Sequence, residues 1–411
     1  VSGNGNEEQG GSGKRGRREK QQEKQQEKRG GYDVKKIVLI PDSFKGTMSS
    51  MEICTIMKET VLSHFPECGV LSIPVADGGE GSVDCFLNAV GGEKLSVRAA
   101  GPFFGEMDTF YGIVDGGKTA VVEMAACAGL PLAGENRNPM MTTSFGVGQI
   151  ITSALERGCR KIILGLGGSS TNDAGCGAAA ALGAKFLDKN GTEFIPVGGT
   201  LREIALIDLS GLHPALPEAE LICMCDIDNP LYGENGAAFV FAPQKGADAD
   251  MVRLLDEGLR HFAGMARGCL GKEVGTLPGG GAAGGMGAGM RVLLDAKLRP
   301  GIEAVLDMVC FDAMIRDADV IFTGEGKIDG QSLRGKVVIG VAGRAKRQNV
   351  PVIAVVGDVG ENIGQVYDMG VTAVFSINNV AVPFEKARLR CREDLATTTD
   401  NILRLLRLSG Y

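Results

Sequence analysis

Apolar residues in this chain come in short unbroken runs separated by helical stretches, and nearly every run ends on glycines, hydroxyls or charges. The first run, KIVLIP from Lys36, stops at DSFKGT and is followed by MSSMEICTIMKETVLSHF, whose spacing is helical. A second run, LSIPV, stops at ADGGEG. Strand, helix and strand in that order predict a βαβ unit with parallel strands. Both strands would deliver polar residues to one carboxyl edge: Asp42 and Lys45 from the first, Asp77 and Glu80 from the second. In open α/β sheets ligands bind at that edge.

The pattern returns near the other terminus. ADVIFTGEGKIDG reads as a strand ending at Glu325, Lys327 and Asp329; a helix follows Lys336, then strands at VPVIAVVGD and TAVFS and a closing helix ending in NILRLLRL. These continue the first sheet. Residues 92–282 differ, with alternating segments such as MDTFYGIVDGGKTAVVEM, further helices and glycine-rich loops. The expected organisation is a tail (1–32), a discontinuous α/β domain (33–91 and 283–411) and a second α/β domain inserted at 92–282. Residues 1–32 are almost devoid of apolar side chains, have no signal-peptide core and are expected to be disordered.

A length of 411 residues supports two cores. The net charge of −7 is uneven: residues 1–36 carry 10 Lys/Arg against 6 Asp/Glu, leaving 33 against 44, or −11, beyond them. An acidic body argues against a broad nucleic-acid surface, so any anion site must be a local pocket for a small molecule. Eleven cysteines without a C-x-x-C pair, and three isolated histidines, exclude a zinc framework and point to a reducing compartment, the cytoplasm by expectation, although the first residue is not Met and leaves an upstream targeting segment open. No apolar run reaches membrane-spanning length, because Glu123 and Pro131 interrupt the richest one.

Four clusters carry candidate chemistry. KIILGLGGSSTNDAGCG feeds a strand into Gly167, Gly168, Ser169, Ser170, Asn172 and Asp173, which suits an anion or a metal held by backbone N–H groups and hydroxyls. It reads equally as a tight strand-to-helix turn. CMCDIDNPLYGENGA places Asp226 and Asp228 beyond an apolar run, FVFAPQKGA places Lys245 after another, and PGGGAAGGMGAG is a glycine loop that offers a hinge. Two motif matches fail. GQSLRGKV has Val337 where a P-loop needs a hydroxyl, and GGGAAG follows GTLP instead of the strand that a dinucleotide fingerprint requires.

These four clusters, together with PDSFKGTMSS, VADGGEGSVDCF and FTGEGKIDGQSLRGKVVIGVA, resemble in kind and order the signature blocks of the type I glycerate kinase family, from Lys36 to Leu408. The resemblance implies phosphoryl transfer from ATP to D-glycerate, giving 2-phosphoglycerate in most members, on a discontinuous Rossmann-like (flavodoxin-like) parallel-sheet domain with an inserted second α/β domain. ATP and Mg²⁺ are the expected cofactors, with neither a nucleic-acid nor a membrane partner. Such chemistry needs cations and N–H groups for phosphates, carboxylates for Mg²⁺ and an acceptor for the hydroxyl proton. Asp77 is the expected base, Lys45 the expected phosphate ligand and Asp42 a further catalytic carboxylate. Asp226 and Asp228 are expected at the metal. Ser169, Ser170, Asn172, Asp173, Lys245, Glu325, Lys327, Arg334 and Lys336 are expected to bind substrate or phosphate. An NAD(P)-dependent hydroxy-acid oxidoreductase and a non-catalytic ligand-binding relative are the competing functions.

Overall fold

The computed structural model describes residues 34–75, 78–330 and 332–408. The tail at 1–32 and the expected base Asp77 lie outside the described residues. The expected βαβ unit forms: β1 (Lys36–Pro41) leads through the helix Ser50–His64 to β2 (Gly69–Ser72), parallel to it. That helix begins where Ser49 and Glu52 cap each other, hydroxyl to backbone N–H and carboxylate to backbone N–H. β1 is apolar throughout because both its faces are covered. Ile37 and Leu39 pack with Ser50–His64 and with the closing helix Phe384–Leu408, whereas Val38 and Ile40 pack with the helices Gly301–Met308 and Val337–Lys346.

The middle of the chain builds other sheets. β3 (Glu93–Ala100), β4 (Glu106–Val114), β5 (Thr119–Glu123) and β6 (Lys161–Gly165) begin a six-stranded sheet. β7 (Lys185–Leu187), β8 (Glu193–Phe194) and β9 (Leu206–Asp208) form a small antiparallel one, after which β10 (Glu220–Met224) and β11 (Lys297–Arg299) complete the six in the order β11-β10-β6-β5-β4-β3. Within it only β4 runs against the other strands. The chain then returns to the first sheet with β12 (Val320–Gly324), β14 (Val352–Val356) and β16 (Ala373–Ser376), while β13 (Lys327–Ile328) pairs with β15 (Asp358–Val359) beyond it.

The first sheet is parallel throughout, in the order β16-β14-β12-β1-β2. Its connections change direction between β1 and β12, which opens a crevice at their carboxyl ends. The two large sheets share one apolar layer, in which Val38 and Ile40 of the first and Val121, Ile163 and Met224 of the second enclose Phe86, Ile302 and Val305. The molecule is therefore α/β with parallel and mixed sheets. The glycine loop is not the open hinge that its composition suggests. A β-carbon on Gly284 would stand 2.0 Å from the Thr171 carbonyl, and one on Gly289 1.7 Å from that of Ala174, so these glycines permit close packing. No described helix is long and apolar enough to cross a membrane.

Candidate active site

The two sheets meet through their loops. Gly78 and Gly79, beyond β2, lie against Gly165 and Gly167 at the end of β6, and the Gly167 N–H donates to the Gly78 carbonyl at 3.0 Å. A β-carbon on Gly165 would fall 2.3 Å from the Gly78 carbonyl oxygen, and one on Gly167 2.6 Å from the Gly79 Cα. The glycines of GLGG thus serve a backbone-to-backbone seam. Glu123, at the end of β5, holds the β2 loop from the other side: its buried carboxylate accepts from Gly81 N at 3.1 Å and Val83 N at 2.5 Å. Burial pushes that carboxyl above its usual range.

Two clefts flank this junction. A smaller one, about 270 Å³, lies at the carboxyl edge of the first sheet, bounded by Phe44 and Lys45 after β1, Gly326 after β12, Asp358 and Asn378. The closing helix contributes Arg388 to its wall. A larger one, about 430 Å³, lies at the carboxyl edge of the second sheet, between Gly168 and Ser169 after β6, Cys225 and Asp226 after β10, and Lys245. Lys45 lines both. The loop carrying it is pinned by Phe44 N donating to the Met48 carbonyl and by Thr47 donating back to the Phe44 carbonyl. Asp42 stands at the β1 end of that loop, its N–H on the Gly324 carbonyl and its Oδ1 accepting from Ser43 N at 2.6 Å.

Of the expected polar side chains on the β6 turn, Ser169 alone lines the larger cleft, beside Gly167 and Gly168. Its hydroxyl accepts from Lys245 Nζ at 2.9 Å. Ser170 is buried and donates to the Ala128 carbonyl at 2.9 Å. Asp173 is fully buried, with its oxygens engaged by Ser144 N and Oγ, Gly175 N and Gly177 N, so it holds the turn to the helix Phe145–Glu156. Desolvation raises its carboxyl above the usual range. Asn172 is also fully buried, and neither of its amide atoms finds a hydrogen-bond partner among the described residues.

Lys245 ends the short turn Pro243–Lys245 with 2% exposure, and its ammonium also donates to the Thr171 carbonyl at 2.7 Å. Burial pulls its pKa down to about 7, a fall that the neighbouring charge of Asp173 only partly offsets. Asp226 reaches the larger cleft while its Oδ1 accepts from Gly301 N at 2.8 Å. Asp228 is exposed and outside the lining of either cleft.

The remaining charges sit beyond β12. Glu325 is buried, with Oε2 3.9 Å from Lys336 Nζ and Oε1 without a partner among the described residues, and desolvation raises its carboxyl. Lys327 faces Asp358 at 3.9 Å. Arg334 belongs to the turn Ser332–Arg334.

Among the described residues no three His, Cys, Asp or Glu side chains gather into a metal cage. Mg²⁺ does not require one, since it is held by one or two carboxylates together with water and substrate phosphates. The hard oxygens of Asp226, set in the cleft wall, suit it.

The composition of the walls is only partly what the motifs suggest. The Thr171 carbonyl, Gln244, Phe241 and the Arg388 region were missed. Glu123 carried one signal, a lone charge ending an apolar run.

Residues 37–407 match the glycerate kinase family. A glycerate kinase of Bacillus subtilis (strain 168) is 43% identical over 91% of this chain and 98% of its own. The glycerate 2-kinase of Escherichia coli (strain K12) is 42% identical over 89% of this chain and 97% of its own. A crystal structure of a glycerate kinase 2 candidate from Salmonella typhimurium LT2 is 40% identical and superposes with a TM-score of 0.79, covering 91% of this chain and 98% of that one. With its blocks present in order and its length spanned almost completely by these relatives, the chain belongs to the glycerate kinase family.

Proposed function

We propose that ATP binds in the smaller cleft and D-glycerate in the larger, with Lys45 facing the phosphoryl group as it passes between them. The protein is an ATP-dependent kinase of D-glycerate, and ATP and Mg²⁺ are its cofactors. The observation that carries the placement is Lys45, which lines both clefts. A cation there neutralises charge on the transferring group wherever it stands along its path. The direction change between β1 and β12 supports the nucleotide side, because ligands of open parallel sheets settle at that crevice.

Asp77 is assigned the proton of the attacking hydroxyl, with Asp42 as the neighbouring carboxylate. Its sequence neighbour Gly78 belongs to the seam between the clefts, which supports that role. Asp226 would hold Mg²⁺, with Asp228 at most an outer partner; the ion supplies charge neutralisation of the phosphates. Glu325, Lys327, Arg334 and Lys336 are assigned to the nucleotide side, Ser169 and Lys245 to glycerate. Ser170, Asn172 and Asp173 act by shaping the turn. The product is 2-phosphoglycerate, in keeping with the name of the 42% identical Escherichia coli relative.

The parallel sheet has the strand sequence of a flavodoxin-like domain when counted along itself, 2-1-3-4-5. Because β11 pairs with β10, the inserted domain is better bounded near 92–299 than at 282, leaving 33–91 and 300–411 for the first domain. Eleven cysteines, none of them in a disulfide among the described residues, support a reducing, cytoplasmic setting. The decisive test is ³¹P NMR of the full chain with ATP, Mg²⁺ and D-glycerate. ADP and 2-phosphoglycerate should form only when all three are present. ADP release at the same rate without glycerate would overturn the assignment.

A further inference from the structure

Lys245 lines the larger cleft only, whereas Lys45 serves both. An ammonium has three N–H donors. Two of those on Lys245 go to Ser169 Oγ and the Thr171 carbonyl, both neutral oxygens. The charged groups around it are otherwise occupied or lie across the space. Asp173, on the far side of the turn, is saturated by Ser144, Gly175 and Gly177; Arg137 donates to the Gln244 carbonyl; Lys45, Asp226 and the Cys225 thiol line other parts of the cleft wall. A buried cation with two neutral partners is a costly arrangement unless an anion completes it.

We propose that Lys245 selects a carboxylate-bearing acceptor: its Nζ lone pair takes a proton from solvent as glycerate enters, and its remaining N–H pairs with the glycerate carboxylate. This rests on the larger cleft being the glycerate site. The carboxylate brings the direct counter-charge that Asp173 supplies only in part, so the ion pair forms only with substrate in place. Burial lowers the lysine enough for both protonation states to exist near neutrality in the free protein. Glycerol has the same hydroxyls and no counter-charge, and it leaves the amine where it was. The phosphates of ATP, on the Lys45 side, do not call on this group.

Isothermal titration calorimetry of D-glycerate into the full chain, at pH 6 and pH 8 in two buffers of different ionisation enthalpy, reads the proton directly. Proton uptake should be small at pH 6 and rise toward one per glycerate at pH 8. Lys245→Met should abolish the uptake and weaken glycerate on the order of 100-fold, with ATP affinity unchanged within about threefold. Buffer-independent heats for the unmodified protein at pH 8 overturn the proposal, as does Lys245→Met with undiminished glycerate affinity. If that variant does not fold, the uptake by the unmodified protein decides alone. A separate variant, Gln244→Trp, narrows the larger cleft. Unchanged glycerate affinity in it overturns the cleft assignment itself, whereas weakened affinity without proton uptake in the unmodified protein overturns only the role of Lys245.

Discussion

At Lys245 the fold works against its own charge, and the sign of the effect can be followed with pH. The unfolded chain holds this proton up to about 10.5 and the folded one only to about 7, so between those values the unfolded state binds more protons and stability rises with pH. Below about 7 the whole cost of burying the ammonium is present. Lys245→Met should therefore raise the melting temperature relative to the unmodified protein most at pH 6 and progressively less toward pH 10, followed by calorimetric melts across that range. A difference that is constant with pH would mean that the lysine is solvated in the folded protein.

Lys45→Ala and Asp77→Asn should separate kinetically. Loss of Lys45 weakens ATP binding as well as turnover, whereas Asp77→Asn keeps size and removes the carboxylate, lowering kcat on the order of 10²-fold with little change in either binding constant. Steady-state kinetics on well-folded preparations distinguish them. A near-normal kcat in Asp77→Asn would pass the proton to Asp42.

Among the elements, the loop after β2 and the helix Ser82–Val90 are tied by one carboxylate from another sheet, that of Glu123. Glu123→Ala would leave the buried N–H of Val83 and the half-buried N–H of Gly81 without their carboxylate partner, a loss of about 1–3 kcal/mol in a denaturant titration. Glu123→Gln should recover part of it. Such contacts also explain what the sequence does and does not disclose. β1 was legible because its run is uninterrupted, which only double-sided burial produces. Its pairing with β12, nearly 300 residues later, leaves no local trace beyond a second run of the same kind.

On the β6 turn the residue types announce a polar site, but their division of labour comes from partners elsewhere. Ser170 is drawn inward by the Ala128 carbonyl and Asp173 by Ser144, while Ser169 stays at the cleft because Lys245 arrives from a distant turn. The pairing of β11 with β10 is hidden in the sequence for a similar reason. The glycine loop looks like a linker, yet its helix packs on that turn and β11 follows into the second sheet.

For the whole molecule, the proposed division of the ligands between two clefts that share one lysine predicts that the cleft walls approach each other about the fixed seam, so that the reaction proceeds in the absence of water. D-glycerate together with a non-hydrolysable ATP analogue should compact the protein in small-angle scattering, and either ligand alone should do so less. Identical profiles with and without both would mean that the clefts are already at reacting distance.

The glycine seam gives that approach a hard limit. At Gly165 and Gly167 the two halves touch by backbone alone, and no side chain can bend to absorb an added atom. One extra carbon at Gly165 would act as a shim, widening the gap between donor and acceptor while leaving every ligand-binding group intact. Gly165→Ala should thus bind ATP normally and fail in transfer, as though the acceptor had been moved out of reach. In-line displacement loses rate steeply with such a separation, so on the proposed placement of the ligands the two peptide planes of the seam govern the reacting distance.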